Sequence, residues 1–130
     1  MSSSIFKMNR GDYFSFTMTI EDETSPSGSY LLQSNDVLYF ALLNPHARFE
    51  DAIILKGYTR DDATEVTTEF GPIHVFNIEL LREDTVYLDT GVYYYTLKLQ
   101  KNAKSIEHGL EEPDAELITV VDRTKFIINE

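Results

Sequence analysis

The chain contains no cysteine and no tryptophan. Without a thiol there is no disulfide, no thiolate nucleophile and no Cys-ligated zinc. Eight Phe and eight Tyr must then supply the largest side chains of any core. Lack of cysteine fits a reducing cytoplasm, but also a phage particle or a secreted sandwich, so it leaves the compartment open. Basic residues are few, with 11 Lys plus Arg against 22 Asp plus Glu and a net charge of −11. That field repels phosphate backbones, and the bases, from Lys7 to Lys125, are scattered along the chain; nucleic acid is not an expected partner. The apolar runs fall far short of the roughly 20 residues that span a bilayer. Residues 1–10 lack an apolar core of signal-peptide length. The expectation is a protein made in the cytoplasm with no membrane contact.

Motifs of common chemistry are missing too. There is no Gly-x-Ser-x-Gly elbow, phosphate loop, dinucleotide fingerprint or helix–loop–helix calcium spacing. The chain therefore reads as non-enzymatic, with no cofactor, no metal and no small-molecule substrate. At 130 residues it is expected to be one domain spanning 1–130.

What the sequence does have is a rhythm of two. After Asp89-Thr90-Gly91, a turn signal, Tyr93, Tyr95, Leu97 and Leu99 alternate with Tyr94, Thr96, Lys98 and Gln100. One buried and one wet face of a strand require that period. Phe14, Phe16, Met18 and Ile20 alternate with Tyr13, Ser15, Thr17 and Thr19, which predicts a core strand over 12–20. Val37–Leu43 is apolar almost throughout and is bounded by Asn35-Asp36 and Asn44-Pro45. It reads as a central strand buried on both faces, although a helix is not excluded by periodicity alone. Further strands are expected near 4–8, 52–58, 72–80 and 116–128, the last interrupted around Asp122-Arg123-Thr124 by a bulge or a change of sheet. A short helical turn capped by Asp84 or Thr85 is expected over 83–88. Residues 59–71 give the weakest signal, although 65–70 could be extended, and 101–114 form a polar connection longer than most hairpin loops. About seven short strands without βαβ alternation select an all-β, antiparallel β-sandwich, with a small barrel as the main alternative.

Each chemical candidate has a plainer structural reading. Arg10-Gly11-Asp12 spells an adhesion tripeptide but sits where one strand turns into the next. The acidic runs at 21–23, 61–62 and 111–116 read as solvated charge. His46, His74 and His108 have no ligand spacing, and His74 is expected to be half-buried or at the surface. Alternation puts Tyr13 and Tyr94 on outward faces, where they suit a protein interface or a sugar-stacking platform.

Asp89-Thr90-Gly91-Val92-Tyr93-Tyr94-Tyr95 resembles the Asp-x-Gly-x-Tyr-x-Cys segment of immunoglobulin variable domains, with Tyr95 in the cysteine's place. That resemblance implies an immunoglobulin-like sandwich with a tyrosine corner built by Asp89, Gly91 and Tyr93, in which the buried ring's hydroxyl bonds to backbone upstream. More widely, residues 6–12, Asn35-Asp36-Val37-Leu38-Tyr39-Phe40, residues 49–54, Glu83-Asp84-Thr85 and residues 91–99 resemble small prophage proteins of Gram-positive bacteria. Those are similar to the N-terminal immunoglobulin-like domain of phage baseplate upper proteins. The resemblance implies a virion or baseplate assembly module that contacts other phage structural proteins or itself, and a virion location. It brings no catalytic residue. The alternative expectation is a glycan-binding or adhesion module. Unpaired sheet edges are the expected route to self-association.

Overall fold

The computed structural model describes residues 4–101 and 116–130. The calls on 102–115, including Lys104, His108 and the acids at 111–114, lie outside the described residues.

Strand β3 (Val37–Leu43) occupies the middle of the molecule, and every one of its residues is buried. A strand that is apolar on both faces must be covered on both. On its inner face Leu38, Phe40 and Leu42 join the main core with Phe76, Ile78, Leu80, Leu97, Leu99, Phe126 and Ile128. On its outer face Val37, Tyr39, Ala41 and Leu43 form a second cluster with Phe49. Residues 44–53 fold back over that face, through a left-handed His46 (φ 68°) and a 3-10 turn over Phe49–Asp51. The absence of alternation in 37–43 thus records two separate cores. The strand reading holds, and the helix does not form.

β3 pairs antiparallel with β4 (Ile54–Tyr58) on one side and with β7 (Gly91–Lys101) on the other. β7 pairs with β8 (Glu116–Asn129), whose far side takes β1 (Phe6–Asn9) in parallel. This gives a five-stranded sheet, β1-β8-β7-β3-β4, facing a three-stranded one, β2-β6-β5, made by Phe14–Met18, Gly71–Leu80 and Thr64–Thr68. The fold is all-β, two sheets enclosing one apolar layer. The strand orders match the G-F-C-C′ and B-E-D sheets of the immunoglobulin arrangement.

There are eight strands against about seven expected; 64–68, overlapping the 65–70 stretch that could be extended, pairs with 71–75. The sandwich is not antiparallel throughout, since β1 runs parallel to β8. The turn after β1, with Gly11 at φ +80°, carries the chain across the core to the other sheet. Phe6 and Phe14 consequently face each other, ring centroids 5.3 Å apart, and do not sit side by side in a hairpin. The 12–20 stretch is the short edge strand β2, and Phe14, Phe16 and Met18 are half-buried against the core. The helical turn α1 is Arg82–Thr85, preceded by Leu81; Asp84 lies inside it and accepts the Leu81 amide at 2.6 Å.

Where an immunoglobulin domain joins its sheets with a disulfide against a tryptophan, this chain uses rings. Tyr95 stacks on Phe6 at 5.0 Å and on Phe40 at 6.1 Å, and meets Phe16 at 6.2 Å. Phe16 and Phe40 themselves lie 6.2 Å apart, one from each sheet. Aromatic pairs contribute about 0.5–1.5 kcal/mol each beyond the area they bury. The interruption in β8 is a bulge. Tyr95 pairs with Thr124 but Leu97 with Val121, and Thr96 Oγ1 donates to the Val121 carbonyl at 2.6 Å.

Candidate functional site

The first candidate is the corner ahead of β7. Gly91 takes φ +148°, a conformation that side chains disfavour. That turn drops Tyr93 into the core at 7% exposure. Its hydroxyl donates to the Asp89 carbonyl oxygen at 2.6 Å. Burial, and then the charge of Asp89, push the Tyr93 phenol up from its ordinary value. The corner is further held from outside. Thr85, fully buried, accepts the Gly11 amide at 2.9 Å, and Arg10 donates to the Leu88 carbonyl at 3.3 Å. This site positions strands and contains no group set up for chemistry.

The same contacts account for the adhesion tripeptide. Arg10 is engaged by Leu88 and by Glu130, whose carboxylate it reaches at 2.6 Å. Gly11 supplies the turn. A tripeptide so anchored is a structural link between the first turn, α1 and the C-terminal strand.

Tyr13 and Tyr94 do not come together. Tyr13 is 55% exposed on the outer face of the three-stranded sheet, with its hydroxyl on Glu79 at 2.8 Å. Tyr94 stands on the outer face of the five-stranded sheet beneath the Arg123 guanidinium, 5.6 Å from the ring centroid. One contact patch or one sugar platform cannot contain both. The alternation that placed each side chain outward was a statement about its own strand, and the two strands belong to different sheets.

His74 corrects its expectation: it is buried at 5% exposure, facing inward from β6 with Phe76 and Ile78. Its Nδ1 accepts the Leu32 amide at 3.0 Å, and Nε2 lies 3.5 Å from Glu65. A parity count puts it in register with Phe76, so the signal was present in the sequence. Among the described residues, no three His, Asp or Glu side chains converge as metal ligands would. In the 21–23 run, Asp22 accepts the hydroxyl and amide of Thr24, which hold its carboxyl below the usual value. Among the described residues, no helix is long and apolar enough to cross a membrane.

A concavity of about 430 Å³ lies at the sandwich end between the 20–30 loop and β7–β8. Ile20, Leu99, Ile118 and Val120 form its floor, and Asp22, Tyr30 and Lys101 its rim, with the Lys101 ammonium 4.9 Å from the Tyr30 ring centre. Sequence reasoning missed two of the most exposed large side chains, Tyr87 at 93% and Phe70 at 65%. Both sit in connections, where no alternation reports on burial. Neither a protein-family model nor a curated protein matches the chain.

Proposed function

We propose that this protein is a non-enzymatic structural module of a phage or prophage particle, of the virion or baseplate assembly class, working through protein–protein contacts. The observation that carries this reading is how its side chains are spent. Several groups that sequence analysis singled out serve the frame: Tyr93 the corner, Tyr95 the inter-sheet stack, His74 a backbone bond and Arg10 the Leu88 carbonyl and Glu130. Large apolar groups, by contrast, are left on the surface at Tyr87, Phe70, Tyr13 and Val92. Exposed apolar groups on a well-filled sandwich favour partner contact over catalysis. The resemblance of residues 6–12, 35–40, 49–54, 83–85 and 91–99 to small prophage proteins, themselves similar to the N-terminal domain of baseplate upper proteins, supports the particle. The test is co-expression with the products of the neighbouring genes, followed by mass measurement of the purified species. A complex of fixed stoichiometry is expected. A strict monomer that co-purifies with none of them overturns the reading.

A further inference from the structure

The outer face of the five-stranded sheet is split in two. Its β3–β4 half is roofed by residues 44–53, with Phe49 on Tyr39 and the Lys98 ammonium 5.1 Å from the Phe49 ring centre. Among the described residues, nothing covers the β7–β8–β1 half. Strand register places its side chains in rows. Lys7, Ile127 and Val92 lie side by side across three strands, Lys125 and Tyr94 form the next row, and Thr119 and Lys98 a further one. Their neighbours Phe6, Met8, Tyr93, Leu97, Leu99, Phe126 and Ile128 all point into the core, which fixes this set as outward. Arg123 bends from the bulge over the ring of Tyr94. Strands about 4.8 Å apart put Lys7, Arg123 and Lys125 within roughly 15 Å of one another, around an apolar centre of Val92, Tyr94 and Ile127.

The charge of this face opposes that of the molecule. Among the described residues it gathers Lys7, Lys98, Arg123 and Lys125, four of the chain's 11 bases, in a chain that carries 22 acids. No Asp or Glu occupies a paired outward position on β1, β7 or residues 117–129 of β8. Asp122, the carboxylate in that stretch, lies in the bulge and accepts the Arg123 amide at 2.8 Å. Cations scattered through the sequence at 7, 98, 123 and 125 are therefore assembled by strand pairing into one patch. At physiological salt, fields fade over about 8 Å, so a partner in contact meets this patch more than the net charge of −11.

We propose that the open β1–β8–β7 face docks a carboxylate-rich polypeptide segment, with Lys7, Arg123 and Lys125 pairing its acids and Val92, Tyr94 and Ile127 receiving an apolar side chain. A long polyanion such as nucleic acid meets the repulsion of the acidic remainder beyond the patch, whereas a short segment does not. This deepens the assembly reading by giving one surface and the chemistry of its partner.

The test uses backbone amide NMR on the whole chain. The probe is a synthetic peptide of Glu and Asp around a central Tyr-Leu, titrated at about 50 mM and about 500 mM NaCl. Shifts are expected at Val92, Tyr94, Lys125 and Ile127, weakening at high salt. The pair Lys7→Glu with Lys125→Glu should reduce affinity by about ten-fold or more, with an unchanged melting temperature, whereas Arg60→Glu, off the face, should change it less than about two-fold. Shifts elsewhere, indifference to the charge reversal, or tighter binding of oligo-dT or phosphatidylglycerol vesicles than of the peptide would each overturn the proposal. Should the reversed variant still co-purify with its structural partners, the assembly role survives and this face is not the one used.

Discussion

Replacing Tyr93 by phenylalanine isolates a single bond in the corner. The ring, 7% exposed, keeps its packing in Phe, so no cavity opens. What disappears is the 2.6 Å bond from the hydroxyl to the Asp89 carbonyl. An intramolecular hydrogen bond contributes about 0.5–1.5 kcal/mol net, and a stranded buried acceptor raises the cost toward 3. Asp89 is exposed, so water can reach its carbonyl once the hydroxyl is gone. The loss should therefore be about 1 kcal/mol, which for a domain of this size lowers Tm by roughly 3–6 °C. Urea unfolding monitored by circular dichroism measures it, with the slope m unchanged because the surface exposed on unfolding is the same. Tyr95→Phe is the internal comparison: its hydroxyl bonds to Ser4, near the chain start, also at 2.6 Å. That bond ties Ser4 to β7 and holds no turn, so its loss should cost less. A Tyr93→Phe loss below about 0.3 kcal/mol, or one no larger than that of Tyr95→Phe, refutes the idea that the corner locks this end of the sandwich.

Phe40→Ala removes a fully buried ring from the stack with Tyr95 and should cost about 3–5 kcal/mol by chemical denaturation, more than Phe16→Ala, whose ring is half-buried. Gly91→Ala meets no atom within 4 Å but must hold φ +148°, so a loss of about 1 kcal/mol or more from backbone strain alone is expected; an unchanged Tm would refute it. Asp84→Ala strands both Lys56 and the Leu81 amide, each 2.6 Å from one carboxylate oxygen, and should lower stability by about 1–2 kcal/mol, against nearly nothing for Arg48→Ala on its exposed pair. Burial raises the phenols of Tyr39, Tyr58, Tyr93 and Tyr95 above their unfolded value near 10. Their stabilisation is complete below that pH and is lost as pH climbs through it. Melting temperature should fall from about pH 10 upward as these four phenols ionise; a melting temperature that stays flat to about pH 12 contradicts this burial pattern.

Signals contained within one stretch of chain were enough to write down several elements. The apolar block 37–43 and the alternation after Gly91 are local, so side-chain parity determines them; the Tyr93–Asp89 bond spans four residues and was expected from the resemblance to immunoglobulin domains. Residues 64–68 gave only a weak signal because their Thr-Glu-Val-Thr-Thr has no apolar face: an edge strand with all but its last residue exposed has nothing to alternate. His74 was legible by parity with Phe76 and was masked by the usual exposure of histidine.

Parity reports which side of its own strand a residue occupies, and nothing more. Which sheet receives that strand, and what lies across from it, depends on contacts between residues tens of positions apart. Their closure entropy and packing are shared by the whole chain. Tertiary structure alone therefore laid β1 parallel to β8 and sent Tyr13 and Tyr94 to opposite faces. It also docked Gly11 on Thr85 and drew Lys7, Lys98, Arg123 and Lys125 from scattered positions onto one open face.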